Sequence, residues 1–108
     1  MTKLSAPACE IDCDEVFKAL SHPVRRQILA WLKAPETCFE QQLLPFDNGV
    51  CAGRIFDRTG LSQSTVSAHL ACLQRAGLVT TTKIGQWIFY KRNDALIEDF
   101  QRTLRDTL

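Results

Sequence analysis

The stretch Thr59–Arg92, TGLSQSTVSAHLACLQRAGLVTTTKIGQWIFYKR, is the most informative part of the chain. Its residue types predict a helix that ends near Thr59, a short turn, and a second helix over residues 63–76. Two alternating strands follow around a turn at residues 83–86. This order predicts a helix-turn-helix followed by a β-wing, which places one helix in the DNA major groove and a hairpin beside it.

Positive charge is concentrated on the same half of the chain. Residues 51–92 hold six Lys and Arg against one Asp, a net charge of +5, whereas the remainder holds seven basic and eleven acidic residues, a net charge of −4. Phosphate contact requires local rather than global positive charge. The overall net charge of +1 is therefore compatible with a DNA-binding segment.

Bulk properties predict one ordered domain over residues 1–108. The chain is 45% hydrophobic and 23% charged, which is typical of a globular fold. Residues 1–8 lack the apolar run of a signal peptide, and no apolar stretch reaches the length of a membrane span. We expect a cytoplasmic protein with no membrane partner, whose five cysteines are mostly reduced.

Capping residues and apolar spacing predict the remaining elements. Asp12 is expected to cap the first helix and Ser21 the second. Residues 36–48 predict a short helix or a packed loop, and residues 49–59 a third helix. Asn93 is expected to cap the last helix.

The last helix carries an apolar stripe with two possible partners. In a dimer interface it would join two residues of the first helix; otherwise it packs on the core of its own chain. We favour the dimer, because DNA-binding proteins of this size gain affinity from two half-sites. The residues concerned are Leu96, Ile97, Phe100 and Leu104 in the last helix, and Phe17 and Leu20 in the first.

The chain resembles the ArsR/SmtB family of bacterial winged-helix repressors. The segments that carry the resemblance are Ala19–Pro23, Arg25-Arg26, Ile28-Leu29, Gly60–Leu70, Leu73, Arg75–Val79 and Gly85–Tyr90. The resemblance implies a mainly α fold of about five helices with a two-stranded β-wing. It also implies a homodimer, held by N- and C-terminal helices, that represses by binding double-stranded promoter DNA until an effector releases it.

Three features depart from the family pattern. Metal sensors of the family often have a Cys-x-Cys pair in the third helix, where this chain reads Val50-Cys51-Ala52-Gly53. The zinc sensors carry Asp and His ligands in the last helix, which has no His here. Residues 36–48 also form a longer connection than the family usually has. The standard metal sites are therefore missing, while the DNA-binding half is retained.

Small polar side chains at the start of the second helix of the motif suit contact with bases and phosphates. Gln63 can bond adenine in a bidentate manner, and the neighbouring hydroxyls can meet bases or phosphates. We expect His69 either near the DNA or buried and hydrogen-bonded. The predicted DNA-binding residues are Ser62, Gln63, Ser64, Thr65, Ser67 and His69, with Lys83 and Gln86 at the wing tip.

The cysteines are candidates for a sensing site. Cys9, Cys13 and Cys51 match the pattern in which related sensors combine N-terminal thiols with one from the third helix, often across the dimer. Three thiolates suit As(III) or Sb(III), and a fourth ligand would allow Zn(II). The same thiols could instead respond to oxidation, or be inert while another ligand acts. Cys72 is expected to be a packed hydrophobic residue.

No arrangement typical of an enzyme is found. His22 and His69 both fall in the helical DNA-binding context, and no nucleophile triad, phosphate-binding glycine loop or paired carboxylate pattern accompanies them. The sequence therefore predicts a sequence-specific, dimeric transcriptional repressor released by an effector. The alternatives are a winged-helix module that binds other proteins, and a repressor of the same family that responds to a non-thiol ligand.

Overall fold

The computed structural model describes residues 11–40, 42 and 44–108. The α-helices within these residues are α1 (Cys13–Leu20), α2 (Pro23–Lys33), α3 (Pro35–Cys38), α4 (Ala52–Thr59), α5 (Gln63–Arg75) and α6 (Asp94–Thr107). The strands are β1 (Val50–Cys51), β2 (Val79–Ile84) and β3 (Trp87–Arg92), and a 3-10 turn covers Phe46–Asn48.

The caps of the first and last helices are confirmed. The carboxylate of Asp12 accepts a hydrogen bond from the backbone N–H of Glu15 at 3.2 Å. The amide oxygen of Asn93 accepts one from the N–H of Leu96, also at 3.2 Å. Each side chain satisfies a donor that the first turn of a helix leaves free.

The predicted cap of the second helix is wrong by one residue. His22, not Ser21, caps α2, and its Nδ1 accepts from the N–H of Val24 at 3.2 Å. Proline favours the first helical position, so Pro23 makes the residue before it the cap. Ser21 instead ends α1, and its hydroxyl donates to the carbonyl of Lys18 at 2.8 Å.

The prediction for residues 49–59 is right for the helix and wrong for its start. Val50 and Cys51 form a short strand that pairs with β3, Val50 lying opposite Tyr90. Gly49 allows this approach, because its φ is 106° and a Cβ there would lie 2.6 Å from the Tyr90 carbonyl oxygen. Tertiary pairing thus replaces a first helical turn with a strand.

The segment before β1 contains the short helix and the packed loop that its apolar residues predict. Phe39, which follows α3, is buried. The side chain of Gln42 donates to the carbonyl of Gly49 and accepts from the N–H of Cys51, both at 2.9 Å. An amide side chain therefore satisfies backbone groups along β1 on the side away from β3.

The wing is an antiparallel hairpin. Strands β2 and β3 pair from Val79 opposite Arg92 to Ile84 opposite Trp87. The turn is narrower than predicted, with only two residues between the strands, and its first residue, Gly85, has φ 65°. A two-residue hairpin of this kind requires glycine there. With β1 added, the strand order in the sheet is β1-β3-β2.

One apolar core lies beneath the helix-turn-helix. Val66, Leu70 and Leu73 of α5 are fully buried and share the core with α1, α2, α4 and the start of β2. Cys72 is also buried and packs as a small hydrophobic residue, as expected. The mainly α winged helix-turn-helix is therefore confirmed, with a third strand beyond the two of the wing. Among the described helices, none has the length and apolar character to cross a bilayer.

Candidate nucleic-acid interface

The turn between α4 and α5 is held by its own side chains. The hydroxyl of Thr59 donates to the carbonyl of Phe56 at 2.9 Å and accepts from the N–H of Leu61 at 3.1 Å. The N–H of Gly60 donates to the same Phe56 carbonyl at 3.2 Å. These bonds fix the angle at which α5 leaves α4, and so the direction in which its first turn faces.

Ser62 and Thr65 are engaged with each other at the start of α5. Ser62 is the cap, and its hydroxyl accepts from the N–H of Thr65 at 3.3 Å while donating to the Thr65 hydroxyl at 2.8 Å. The Ser64 hydroxyl lies 3.4 Å from that of Ser62. All three side chains are exposed, so lone pairs of this cluster still face solvent.

Gln63 and Ser67 are placed differently, because their side chains make no hydrogen bond among the described residues. Both are exposed, and a spacing of four residues puts them on the same face of α5. An amide and a hydroxyl with free donors and acceptors, one above the other at a helix start, form a polar face available to base edges.

His69 lies two residues beyond Ser67 in α5 and is only 8% exposed. Its Nδ1 accepts a hydrogen bond from Nε of Arg25 at 3.1 Å, and its ring centroid lies 4.4 Å from that of His22. Of the two arrangements expected for His69, the structure has the buried, hydrogen-bonded one. Burial first, then His22 and Arg25, lower the pKa of His69 below its ordinary value of 6.5.

The wing tip carries the other predicted contacts. Lys83 and Gln86 are both exposed on the hairpin. Lys83 forms no ion pair within the part of the chain that the structure describes. A lysine on an exposed hairpin with no internal partner can contact a phosphate without breaking an existing bond.

Most other basic residues of the half with net charge +5 have internal partners. Arg58 lies 4.8 Å above the ring of Trp31, and Arg92 donates to Asp94 at 2.8 Å. Lys91 donates to the carbonyl of Asp47 at 3.0 Å. Fewer basic side chains are therefore free to contact phosphate than the net charge of this segment suggests.

The cysteine site is not assembled by the described residues. Cys13 starts α1 and Cys51 lies in β1, both half-buried with free thiols, while Cys9 lies outside the described residues. No group of three His, Cys, Asp or Glu side chains suited to a metal occurs among the described residues. Cys13 and Cys51 therefore do not make a metal centre by themselves, and the predicted site of As(III), Sb(III) or Zn(II) stays a prediction.

Arg25 links three helices, a role that the sequence patterns did not predict. Its guanidinium joins His69 of α5 to the carbonyl of Lys18 at the end of α1, with an Nη1 to oxygen distance of 3.2 Å. Forty-four residues separate Arg25 from His69, so no local pattern pairs them. The one sequence feature that could have pointed to this role is the pair of adjacent arginines, Arg25 and Arg26, close to the cap of α2.

Comparison with known proteins agrees with this geometry. The family model "Bacterial regulatory protein, arsR family" matches residues 47–81. The chain is 43% identical over 94 residues to the HTH-type transcriptional regulator YbzH of Bacillus subtilis, across 82% of this chain and 94% of that protein. It is 31% identical to the transcriptional repressor SdpR of the same organism, across 80% of this chain and 81% of the relative.

The fold is shared with a solved regulator. The structure of HlyU from Vibrio cholerae, a protein named as a transcriptional activator, superposes with a TM-score of 0.59 at 31% identity, covering 88% of this chain and 90% of that one. These relatives are transcriptional regulators, which confirms the expectation that the chain is not an enzyme. The chain belongs to the ArsR family of helix-turn-helix transcriptional regulators.

Proposed function

We propose that this regulator is a homodimeric repressor that binds a specific promoter sequence with the start of α5 and the wing tip. The observation that carries the proposal is the exposed pair Gln63 and Ser67, whose side chains have no hydrogen-bond partner among the described residues, on a helix that is otherwise anchored. Ser62, Ser64 and Thr65 surround this pair and are assigned to phosphates and neighbouring bases. Lys83 and Gln86 are assigned to the flanking backbone and groove.

His69 takes an indirect role in this proposal. With its Nδ1 accepting from Arg25, the neutral ring carries its proton on Nε2 and is held below the surface of α5. We assign it to setting the position of α5 relative to α1 and α2. Contact with bases is assigned to the exposed residues nearer the start of α5, Gln63 and Ser67.

Dimerisation is proposed through α1 and α6. The ring of Phe17 packs edge-on against Phe100 with centroids 5.3 Å apart, yet Phe17 remains 49% exposed. Its inner side thus packs against Phe100 of its own chain, while its outer side offers apolar surface to a second copy. In this arrangement the terminal helix packs on its own chain and also contributes to the dimer interface.

The experiment that tests the proposal starts from a random-sequence duplex library. Selection with the purified chain should enrich a palindromic site whose half-sites are about one helical turn, or 10 base pairs, apart. Affinity for the selected duplex should fall steeply with salt. A selection that enriches no sequence would contradict the proposal and favour the alternative, a winged helix that binds other proteins.

We propose that an effector releases the protein from DNA, and three kinds of effector are compatible with the chain. A thiol-bound metalloid or metal, thiol oxidation, and a non-thiol ligand each fit the composition. Cys13 and Cys51 support the first two through their free, half-buried thiols. A metal site would need Cys9 or thiols of the second protomer to complete it.

One titration separates these chemistries. As(III), Zn(II) and peroxide are added in turn to the reduced protein on its selected duplex, and both thiolate absorbance and DNA release are followed. Release by As(III) or Zn(II) with a new thiolate band supports the metal version. Release by peroxide that dithiothreitol reverses supports oxidation, and no release by any of the three supports a non-thiol ligand.

A further inference from the structure

A large apolar cavity lies between α4 and the wing. It has a volume of about 660 Å³, and we call it the wing pocket. This volume falls within the range of sites that hold drug-sized molecules. Its walls include Cys51, Gly53, Asp57, Ile84, Trp87 and Phe89.

One face of the sheet supplies the first wall. Ile84 lies opposite Trp87 across the hairpin, and Cys51 lies opposite Phe89. Residues that are directly paired on neighbouring strands project from the same face, so these four side chains form a continuous surface. Trp87 is 52% exposed and Ile84 is 37% exposed, which leaves an indole face and a branched aliphatic group uncovered.

The first two turns of α4 supply the opposite wall. Gly53 and Asp57 are four residues apart and so lie on one side of the helix. A Cβ on Gly53 would meet nothing within 4 Å, so the backbone of α4 stands directly at the cavity.

The polar groups at the cavity are few and mostly engaged. The side-chain amide of Gln42 is hydrogen-bonded to the backbone of Gly49 and Cys51. Arg54 pairs with Glu40 at 3.8 Å. Asp57 is exposed at the rim. A ligand here would meet flat carbon surfaces and little free hydrogen-bonding capacity, which selects for an uncharged aromatic molecule.

We propose that the wing pocket binds a small, neutral aromatic molecule, and that such a ligand changes the affinity for DNA. The ligand would touch α4, the first helix of the helix-turn-helix, and the wing at Ile84 and Trp87. It would therefore contact the wing, whose tip the proposed function places on DNA, and the helix that leads into α5. The coupling to DNA rests on that proposed function, whereas the binding site does not.

The test uses N-phenylnaphthylamine, a neutral aromatic probe whose fluorescence rises in apolar surroundings. Trp31→Phe leaves Trp87 as the sole tryptophan of the chain. In this background the probe should bind saturably, one molecule per protomer, and quench Trp87 emission by energy transfer. Absence of saturable binding, the result expected if a second copy of the chain covers this face, would overturn the proposal.

A pocket-filling variant locates the binding. Gly53→Phe adds a ring at a position that lines the cavity and where a Cβ meets nothing within 4 Å, without backbone strain, and should weaken probe binding roughly tenfold or more. Ala30→Phe adds the same ring to an exposed position of α2 that does not line the cavity, and should leave binding unchanged. Equal affinity in the two variants would overturn the assignment of the site.

Chemical protection gives an answer that does not depend on how Gly53→Phe folds. Bound probe should slow the alkylation of Cys51 by N-ethylmaleimide, read by peptide mass, while Cys38, which does not line the cavity, reacts at the same rate. Equal rates at Cys51 with and without the probe would place it elsewhere and overturn the proposal.

Coupling to DNA is measured last, with the selected duplex. Saturating probe should change the affinity of the wild-type chain by roughly fivefold or more and leave that of Gly53→Phe unchanged. An unchanged wild-type affinity would refute the coupling. Because the binding assays contain no DNA, failure of the site and failure of the proposed DNA-binding function give different results.

Discussion

The guanidinium Nε of Arg25 donates to Nδ1 of His69 at 3.1 Å, which ties α2 to the helix that carries Gln63 and Ser67. The same arginine donates from Nη1 to the carbonyl of Lys18 at 3.2 Å. One side chain thus joins three helices beneath the proposed DNA-binding face. The bond to His69 requires an unprotonated Nδ1, so it is sensitive to pH.

Stability should fall as the pH falls below the ordinary histidine pKa. The pKa of His69 is lowered in the folded chain from its ordinary value of 6.5. The unfolded chain then binds more protons below pH 6.5. The contribution of a neutral His69 is fully present above pH 6.5 and is lost as the pH falls through the folded pKa. Urea unfolding at a series of pH values measures this.

His69→Gln is the matched variant for that measurement, because glutamine keeps a polar side chain that does not titrate. Its free energy of unfolding should be lower than that of the wild type at neutral pH and should depend less on pH below 6.5. The same pH dependence in variant and wild type would show that other groups carry the effect.

Gln63→Ala with Ser67→Ala should abolish specific operator binding while the dimer stays folded. Both side chains are exposed, so stability should change little, whereas each good base contact contributes about 1–3 kcal/mol of discrimination. Gel shifts with the selected duplex and with a scrambled one check this. Gln27→Ala, an exposed glutamine on α2, is the control. Unchanged affinity in the double variant would show that α5 does not read the sequence.

Lys83→Ala should weaken binding to specific and scrambled duplexes alike. One lost phosphate contact should reduce the slope of log K against log salt by about 0.9 per half-site. Lys33→Ala removes an exposed lysine at the end of α2 and should leave the slope as it is. If Lys33→Ala rather than Lys83→Ala lowered the slope, the wing tip would not be the phosphate contact.

Phe17→Glu should convert the dimer to a folded monomer. The change loses the edge-on contact of Phe17 with Phe100. Because Phe17 is 49% exposed in one chain, the protomer should still fold, while the new charge lies in the proposed interface. Sedimentation equilibrium measures the mass. Ile88→Glu changes a 40% exposed residue on the wing and should remain dimeric. A dimer that persists in Phe17→Glu would exclude α1 from the interface.

Substitution by alanine should have opposite effects on stability at two glycines, Gly49 and Gly53. Gly49 has φ 106°, and a Cβ there would lie 2.6 Å from the Tyr90 carbonyl oxygen, so Gly49→Ala should cost at least about 1 kcal/mol and lower Tm by about 4–8 °C. Gly53 is the second residue of α4, with open space around a Cβ and no positive φ, so Gly53→Ala should stabilise by about 0.4–1 kcal/mol. Thermal unfolding decides, and an equal Tm for both variants would contradict the β1–β3 contact.

Local sequence patterns were enough to predict the helix-turn-helix and the wing. The spacing of Val66, Leu70 and Leu73 set which face of α5 is buried, and therefore which residues are exposed. Gly85 set the hairpin turn, and Asp12 and Asn93 set two helix starts. These features depend on residues within about one turn or one hairpin of each other, where periodicity and capping act directly.

Features that join distant segments of the chain follow from its packing in three dimensions. Val50 and Cys51 became a strand because β3 offered backbone partners some forty positions later in the chain. His69 became a buried acceptor because α2 brought Arg25 against it. The wing pocket arises where α4 and the wing come together, so that Gly53 and Trp87 line one cavity. Such pairings arise from packing many elements at once, which no local pattern encodes.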